Sequence, residues 1–183
     1  MEGEGRLIEA AAWRIAKHIK SVVPNHPAPI EDLNHSLIIS LNFFSVVGLS
    51  AIGSLLTGHG KEAAILLIAF AILRQLTGGL HLESSTWCAV ATAGTATLLS
   101  LVTLNHLTTI LLSAVGLLCI VIFAPAGIED QTIIPPRFYP ILKVAGMIII
   151  SSNFLLSSPY LAMAFFAQGI MLVAYVLFKG GEK

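Results

Sequence analysis

The sequence has little charge and few cysteines. Aspartate, glutamate, lysine and arginine make up 11% of the 183 residues, less than half of the roughly 25% that is usual in soluble domains. Ten basic residues balance ten acidic ones, so the overall charge does not indicate a nucleic acid or a strongly acidic partner. Both cysteines, Cys88 and Cys119, lie in apolar surroundings, which argues against a disulfide framework. These absences exclude an ordinary soluble globule.

What the chain has instead is long apolar blocks. Hydrophobic residues make up 56% of it, and windows near 20 residues with few charges can cross a hydrocarbon core of about 30 Å as helices. We predict an all-α integral membrane protein with about six transmembrane helices, forming a single membrane domain over residues 1–183 with its bundle over residues 33–178. The apolar segments are 33–57, 62–80, 86–104, 107–124, 141–157 and 159–178.

Residues 1–23 follow a different pattern from these segments. Charges such as Glu9 and Arg14 interrupt them, so they lack the apolar core of a cleavable signal peptide. Apolar residues recur at three- and four-residue spacings, which predicts an amphipathic interfacial helix with its basic face toward anionic headgroups. The alternative is a loosely ordered polar tail. The apolar positions are Leu7, Ile8, Ala11, Ala12, Ile15, Ile19 and Val22.

The distribution of basic residues predicts the orientation. An even number of spans places both termini on one side of the membrane. If that side is the cytoplasm, Lys61 is the only one of the ten lysines and arginines that lies outside, which is a strong positive-inside signal. The longest internal loop, residues 124–140, then also faces the cytoplasm. Two connections, at Asn105 and at Ser157, are short enough to predict tight hairpins.

The second apolar segment ends in residues that do not suit a membrane span. Arg74, Gly78, Gly79 and His81 follow an apolar run. Ionisable groups at membrane depth are costly and usually face a protein interior or an aqueous cavity, and glycines let the backbone leave helical geometry. The alternative is that Arg74 reaches the headgroups while the glycines form an ordinary turn.

The next segment begins with Ser84, Ser85 and Thr86. Serine and threonine are good helix N-caps, which places Cys88 in the first helical turn. The positive end of the helix dipole favours an anion such as a thiolate there. A nearby imidazole that takes the thiol proton would complete the nucleophile and base of a cysteine acyl-transfer enzyme.

The candidate base, His81, lies seven residues before Cys88. On one continuous helix the two side chains would be about 10.5 Å apart along the axis, too far for a hydrogen bond of about 3 Å. The chemistry therefore requires His81 to lie on a loop that folds back over the helix start. Glu83 could orient the imidazole or be a solvated carboxylate, and we leave it out of the catalytic pair. A buried thiol with an interfacial histidine is the alternative.

The run from Leu73 to Cys88 resembles the signature of the accessory gene regulator B family of bacterial membrane endopeptidases. The matching positions are Arg74, Gly79, His81 and Cys88, and the resemblance extends over most of the chain. It implies removal of the tail of a short propeptide, followed by cyclisation to a thiolactone or lactone quorum-sensing peptide. The propeptide would carry an amphipathic leader and an acidic tail, and processing would occur on the cytoplasmic side of the cell membrane.

The resemblance also implies roles for the matching residues. Cys88 would be the nucleophile and His81 the general base, while Arg74 would orient the substrate or stabilise developing charge and Gly79 would act through backbone shape. We expect no cofactor. No metal is expected either, because His35, His59 and His106 lack ligand spacing.

Two other functions stay open at this point. A peptide exporter or small-molecule transporter would use Arg74 and the glycine break as a central binding site. A non-enzymatic membrane scaffold would use neither. Small residues in the first and third segments predict close helix packing and leave a homodimer open.

Overall fold

The computed structural model describes residues 6–80, 82, 84–128 and 134–178. Over these residues the protein is all-helical, without β-strands, which confirms the predicted class. A short 3-10 helix, Pro136–Phe138, precedes the sixth α-helix. The α-helices are α1 (Leu7–Val22), α2 (Ile30–Thr57), α3 (Gly60–Thr77), α4 (Ser85–Ser100), α5 (His106–Phe123), α6 (Tyr139–Leu156) and α7 (Pro159–Phe178).

Four of these elements are long and apolar enough to cross a membrane: α2, α5, α6 with its preceding 3-10 turn, and α7. Helix α3 carries Lys61, Glu62 and Arg74 within its 18 residues. Helix α4 ends at Ser100 rather than at residue 104, and its 16 residues extend only about 24 Å. Four of the six expected spans are therefore helices of sufficient length and hydropathy, and the six-span arrangement, with crossing by α3 and α4, stays a prediction.

The connection between α6 and α7 is the tight hairpin that the sequence predicts. Ser157 and Ser158 alone join the two helices, and Ser157 takes a left-handed conformation with φ 50°. The buried amide of Asn153 holds the turn: its Oδ1 accepts the Ser158 N–H at 3.0 Å. Its Nδ2 donates to the Ser158 carbonyl at 3.0 Å and to Ser113 Oγ at 2.9 Å. Backbone groups that would be costly to leave unpaired in a membrane are thereby satisfied.

The chain forms two compact units, and the first comprises Met1–Gly58 and Leu82–Thr97. Within it α1 packs against α2. Helices α2 and α4 approach closely at Gly53, where a Cβ would lie 2.5 Å from Thr97 Oγ1. Small residues allow such close helix packing, and the buried residues of α4 in this unit are accordingly small: Ser85, Ala89, Ala93 and Ala96.

Helix α1 uses only part of its apolar surface for this packing. Ile8, Ala12 and Ala16 are buried, whereas Leu7 and Val22 are exposed. An exposed apolar row next to a basic face is compatible with a helix on a membrane surface. The helix itself is present, and its interfacial position stays a prediction.

The second unit comprises His59–His81 and Leu98–Lys183. Helix α7 packs against both α3 and α5, and α6 packs against α3 and α5. The centre is apolar and fully buried, and Gly116 lets α5 approach the backbone of α7 at Phe165. The central side chains are Leu73, Ile120, Ile150, Phe165 and Leu172. The single membrane domain expected from the sequence stays a prediction.

Candidate active site

Helix α3 ends in a turn that only glycine can make. Gly78 has φ 75° and ψ −141°, and Gly79 has φ 121°, conformations that cost little only for glycine. A Cβ on Gly78 would also overlap the carbonyl oxygen of Ala126. Both glycines are buried. We call residues 77–80 the glycine turn.

Backbone hydrogen bonds tie the glycine turn to the segment after α5. The N–H of Gly79 donates to the Ala126 carbonyl at 2.7 Å, and the N–H of Ala126 donates to the Thr77 carbonyl at 3.1 Å. Leu80 donates to the Met171 carbonyl of α7 at 3.2 Å. Ala126 follows a cis Ala124–Pro125 peptide bond and is itself buried. The start of the expected 124–140 loop is thus packed inside the second unit.

A buried glutamine completes this arrangement. Gln168 lies within the apolar helix α7 and is 0% exposed. Its Nε2 donates to Thr77 Oγ1 at 2.8 Å and to the Gly78 carbonyl at 2.7 Å. Its Oε1 is buried and has no hydrogen-bond partner among the described residues. Sequence reasoning missed Gln168, although a lone carboxamide in a 20-residue apolar helix is the kind of signal that marks a functional or structural polar contact.

Arg74 lies in the last turn of α3 and contacts the glycine turn. Its side chain is half-buried, and its Nη2 donates to the Leu80 carbonyl at 2.7 Å. The guanidinium also lies 5.8 Å from the centre of the Phe70 ring, within the range of a cation–π contact. Arg74 is therefore held against the last described residue before His81.

Cys88 lies in the first turn of α4, as the serine and threonine residues before it predict. Its N–H donates to the Ser84 carbonyl at 3.0 Å, and Ser84 Oγ accepts the Trp87 N–H at 3.4 Å. The Cys88 thiol is free and half-buried. His81 and Glu83 lie outside the described residues, so the folding back of His81 and the role of Glu83 stay predictions.

The start of α4 also contacts α1. The carboxylate of Glu9 accepts the Ser85 N–H at 2.6 Å and faces the Thr86 hydroxyl at 3.4 Å. In the other direction, the N–H of Ile8 donates to Thr86 Oγ1 at 3.0 Å. In the sequence, Glu9 is one of several charges that interrupt residues 1–23. No local pattern indicates a partner more than seventy residues along the chain.

The other candidate groups do not gather into a site. Cys119 packs on α7, where a Cβ on Gly169 would lie 3.1 Å from the Cβ of Cys119. Within residues 6–80, 82, 84–128 and 134–178, no three His, Cys, Asp or Glu side chains are arranged to hold a metal ion.

The fold and these residues define a helical membrane protein that carries a free thiol at one helix start and an arginine hydrogen-bonded to a buried glycine turn. The chain belongs to the accessory gene regulator B family, whose model matches residues 14–178. This match confirms the resemblance found in the motif, and it places the chain in a family that processes quorum-sensing propeptides in membranes. Comparisons with curated proteins and with solved structures gave no match.

Proposed function

We propose that this protein is a membrane-embedded cysteine endopeptidase that removes the C-terminal tail of a short signal propeptide and cyclises the remainder. The observation that carries the proposal is the free, half-buried Cys88 thiol in the first turn of α4, in a chain of a propeptide-processing family. A helix start supplies N–H groups and a positive dipole end, which favour both a thiolate and a developing oxyanion.

In the first half of the reaction, His81 takes the proton of Cys88 and the sulfur attacks the carbonyl carbon of the scissile peptide bond. The C–N bond then breaks, and His81 returns the proton to the departing amine of the tail. The product is an acyl-enzyme thioester on Cys88.

In the second half, a cysteine thiol or serine hydroxyl of the propeptide attacks the thioester carbonyl. His81 accepts its proton, the C–S bond to Cys88 breaks, and the proton returns to Cys88. The peptide leaves as a thiolactone or a lactone. Limited access of water at the membrane boundary would favour this internal attack over hydrolysis.

The glycine turn supports a role for Arg74 in substrate binding. Arg74 is held by the Leu80 carbonyl, and a guanidinium is well suited to a substrate carboxylate or to developing negative charge. The backbone at Gly79 hydrogen-bonds to Ala126, so Gly79 would act by shaping the turn that precedes His81. An acidic propeptide tail is the expected partner of Arg74.

The proposal includes a cytoplasmic location for both termini and for Cys88. The excess of lysine and arginine on that side supports it. A reporter that is active only in the cytoplasm, fused to either end of the full chain, should be active in both fusions. An inactive C-terminal fusion from a stably inserted protein would contradict the six-span topology.

The decisive experiment is co-expression with the cognate propeptide carrying a C-terminal tag. Cys88→Ala should abolish release of the tag and formation of the cyclic product, measured by mass spectrometry, while the protein still accumulates in membranes. Cys119→Ala is the matched control, because Cys119 is the other free cysteine and lies in α5, where it packs against α7. Cleavage that survives Cys88→Ala would contradict the enzyme and favour the exporter.

A further inference from the structure

Glu9 lies where the positive ends of two helices meet. The first turn of a helix carries N–H groups without intrahelical partners and a partial positive charge. Glu9 is in the first turn of α1, and its carboxylate accepts the N–H of Ser85, the first residue of α4. Two such helix ends repel each other, and one carboxylate between them attracts both.

The two helix starts also satisfy each other's backbone donors. Thr86 of α4 accepts the N–H of Ile8, while Glu9 accepts the N–H of Ser85. Ser85 and Ile8 are buried, so an N–H that lost its partner here would be poorly placed to reach water. The position of α1 and that of the first turn of α4 are therefore coupled through a few specific hydrogen bonds.

Cys88 lies in the turn that these contacts hold. Its N–H closes the first intrahelical hydrogen bond of α4, onto Ser84, and Ser85 lies within the same turn. A shift of this turn therefore moves the thiol. Misplacement of a reacting atom by about 1 Å can lower a rate by about a hundredfold.

We propose that Glu9 is a positioning residue of the processing reaction, and that α1 fixes the Cys88 thiol by capping α4 through the Glu9 carboxylate. This inference rests on the function proposed above. It gives the N-terminal helix a part in the chemistry in addition to any role at the membrane surface. Glu9 acts through the backbone of Ser85 and does not touch the substrate.

The first test compares two replacements of Glu9 with the cognate propeptide as substrate in membranes. Glu9→Ala removes the acceptor and should lower kcat by about tenfold with KM nearly unchanged. Glu9→Gln keeps an oxygen acceptor at the same reach and should retain most of the activity. Glu31→Ala is the matched control, because Glu31 is an exposed glutamate in the first turn of α2, and it should behave as wild type.

The second test removes the backbone N–H of Ser85, which donates a hydrogen bond to Glu9. Proline is well tolerated at the first position of a helix, where it lacks the N–H, so Ser85→Pro should make the Glu9→Ala change nearly silent. If Ser85→Pro does not accumulate in membranes, Thr86→Val takes its place as the second substitution combined with Glu9→Ala. Thr86→Ser is the matched variant that keeps the hydroxyl. Thr86→Val should reduce the effect of Glu9→Ala, and Thr86→Ser should not.

The outcomes separate this inference from the proposed function. A tenfold fall in kcat for Glu9→Ala, rescue by Glu9→Gln and coupling to Ser85 or Thr86 support positioning. The inference would be overturned if Glu9→Ala left kcat unchanged, or if Glu9→Ala lowered kcat equally in the wild-type protein and in the Ser85→Pro or Thr86→Val variant. Either result would leave the role of Cys88 intact. A fall that only follows the amount of protein in membranes would also overturn it.

Discussion

The glycine turn of the second unit and the start of α4 in the first unit are held in different ways. In the turn, a mostly buried segment is held by backbone hydrogen bonds with Ala126 and Met171 and by the carboxamide of Gln168. At the start of α4, side chains of a partly exposed helix reach the first backbone groups. The turn is fixed by conformation and burial, and the helix start by capping.

The difference matters because the two kinds of support fail differently. A buried, hydrogen-bonded backbone in glycine-only conformations cannot adjust to a side chain without moving its partners. At the helix start the capping side chains Ser84, Thr86 and Glu9 are partly exposed, so the loss of one cap disturbs fewer packed neighbours. Substitutions in the turn should therefore cost stability and activity together, whereas those at the helix start should act mainly on activity.

The largest effect is expected from Gly78→Ala. Its backbone conformation, φ 75° and ψ −141°, costs about 1–3 kcal/mol for a non-glycine residue, and the new Cβ overlaps the Ala126 carbonyl oxygen. Propeptide processing should be lost, and the unfolding temperature in detergent should fall. Gly48→Ala is the control, because nothing lies within 4 Å of a Cβ there. It should be neutral or stabilising by up to about 1 kcal/mol.

The next effect is expected from Gln168→Leu. The change leaves the Gly78 carbonyl without the amide donor at 2.7 Å, and a buried group that loses its partner costs about 1–3 kcal/mol. Removal of the unpartnered Oε1 offsets part of that cost. Thermal unfolding should show a destabilised protein with reduced processing. Gln75→Leu, at an exposed position of α3, should leave both unchanged, and equal behaviour of the two variants would argue against a support role.

A smaller effect is expected from Arg74→Lys. Lysine keeps the charge but lacks the planar fork of a guanidinium, so it should bind the propeptide tail less well and support the Leu80 carbonyl less firmly. KM for the propeptide should rise, by roughly tenfold for the loss of about 1.4 kcal/mol. Arg137→Lys, on the 3-10 turn, is the control. A KM equal to that of wild type would place the substrate carboxylate elsewhere.

The smallest effect is expected from Ser84→Ala at the helix start. The Ser84 Oγ accepts the Trp87 N–H at 3.4 Å, a long contact, and the loss of this capping contact should cost at most about 1 kcal/mol. Processing should stay within about threefold of wild type. A loss as large as that of Gly78→Ala would show that the glycine turn and the helix start are equally sensitive to substitution.

The start of α4 and the end of α3 could be predicted from the sequence because both depend on residues close together in the chain. Serine and threonine before an apolar run predicted that α4 starts near Ser85 and that Cys88 lies in its first turn. Glycines after an apolar run predicted the break at the end of α3. The roles of Gln168 and Glu9 could not be predicted, because their partners lie about ninety and seventy-six residues away in the chain.

From the sequence alone follow the all-helical membrane class, the helix limits to within a few residues, and the family. Hydropathy, capping and glycine conformation are local properties, so local patterns reveal them. Only the tertiary structure decided that Ala126 and Gln168 hold the glycine turn and that α1 caps α4. Such contacts depend on which buried donors and acceptors meet after the helices pack, and a linear pattern does not record that.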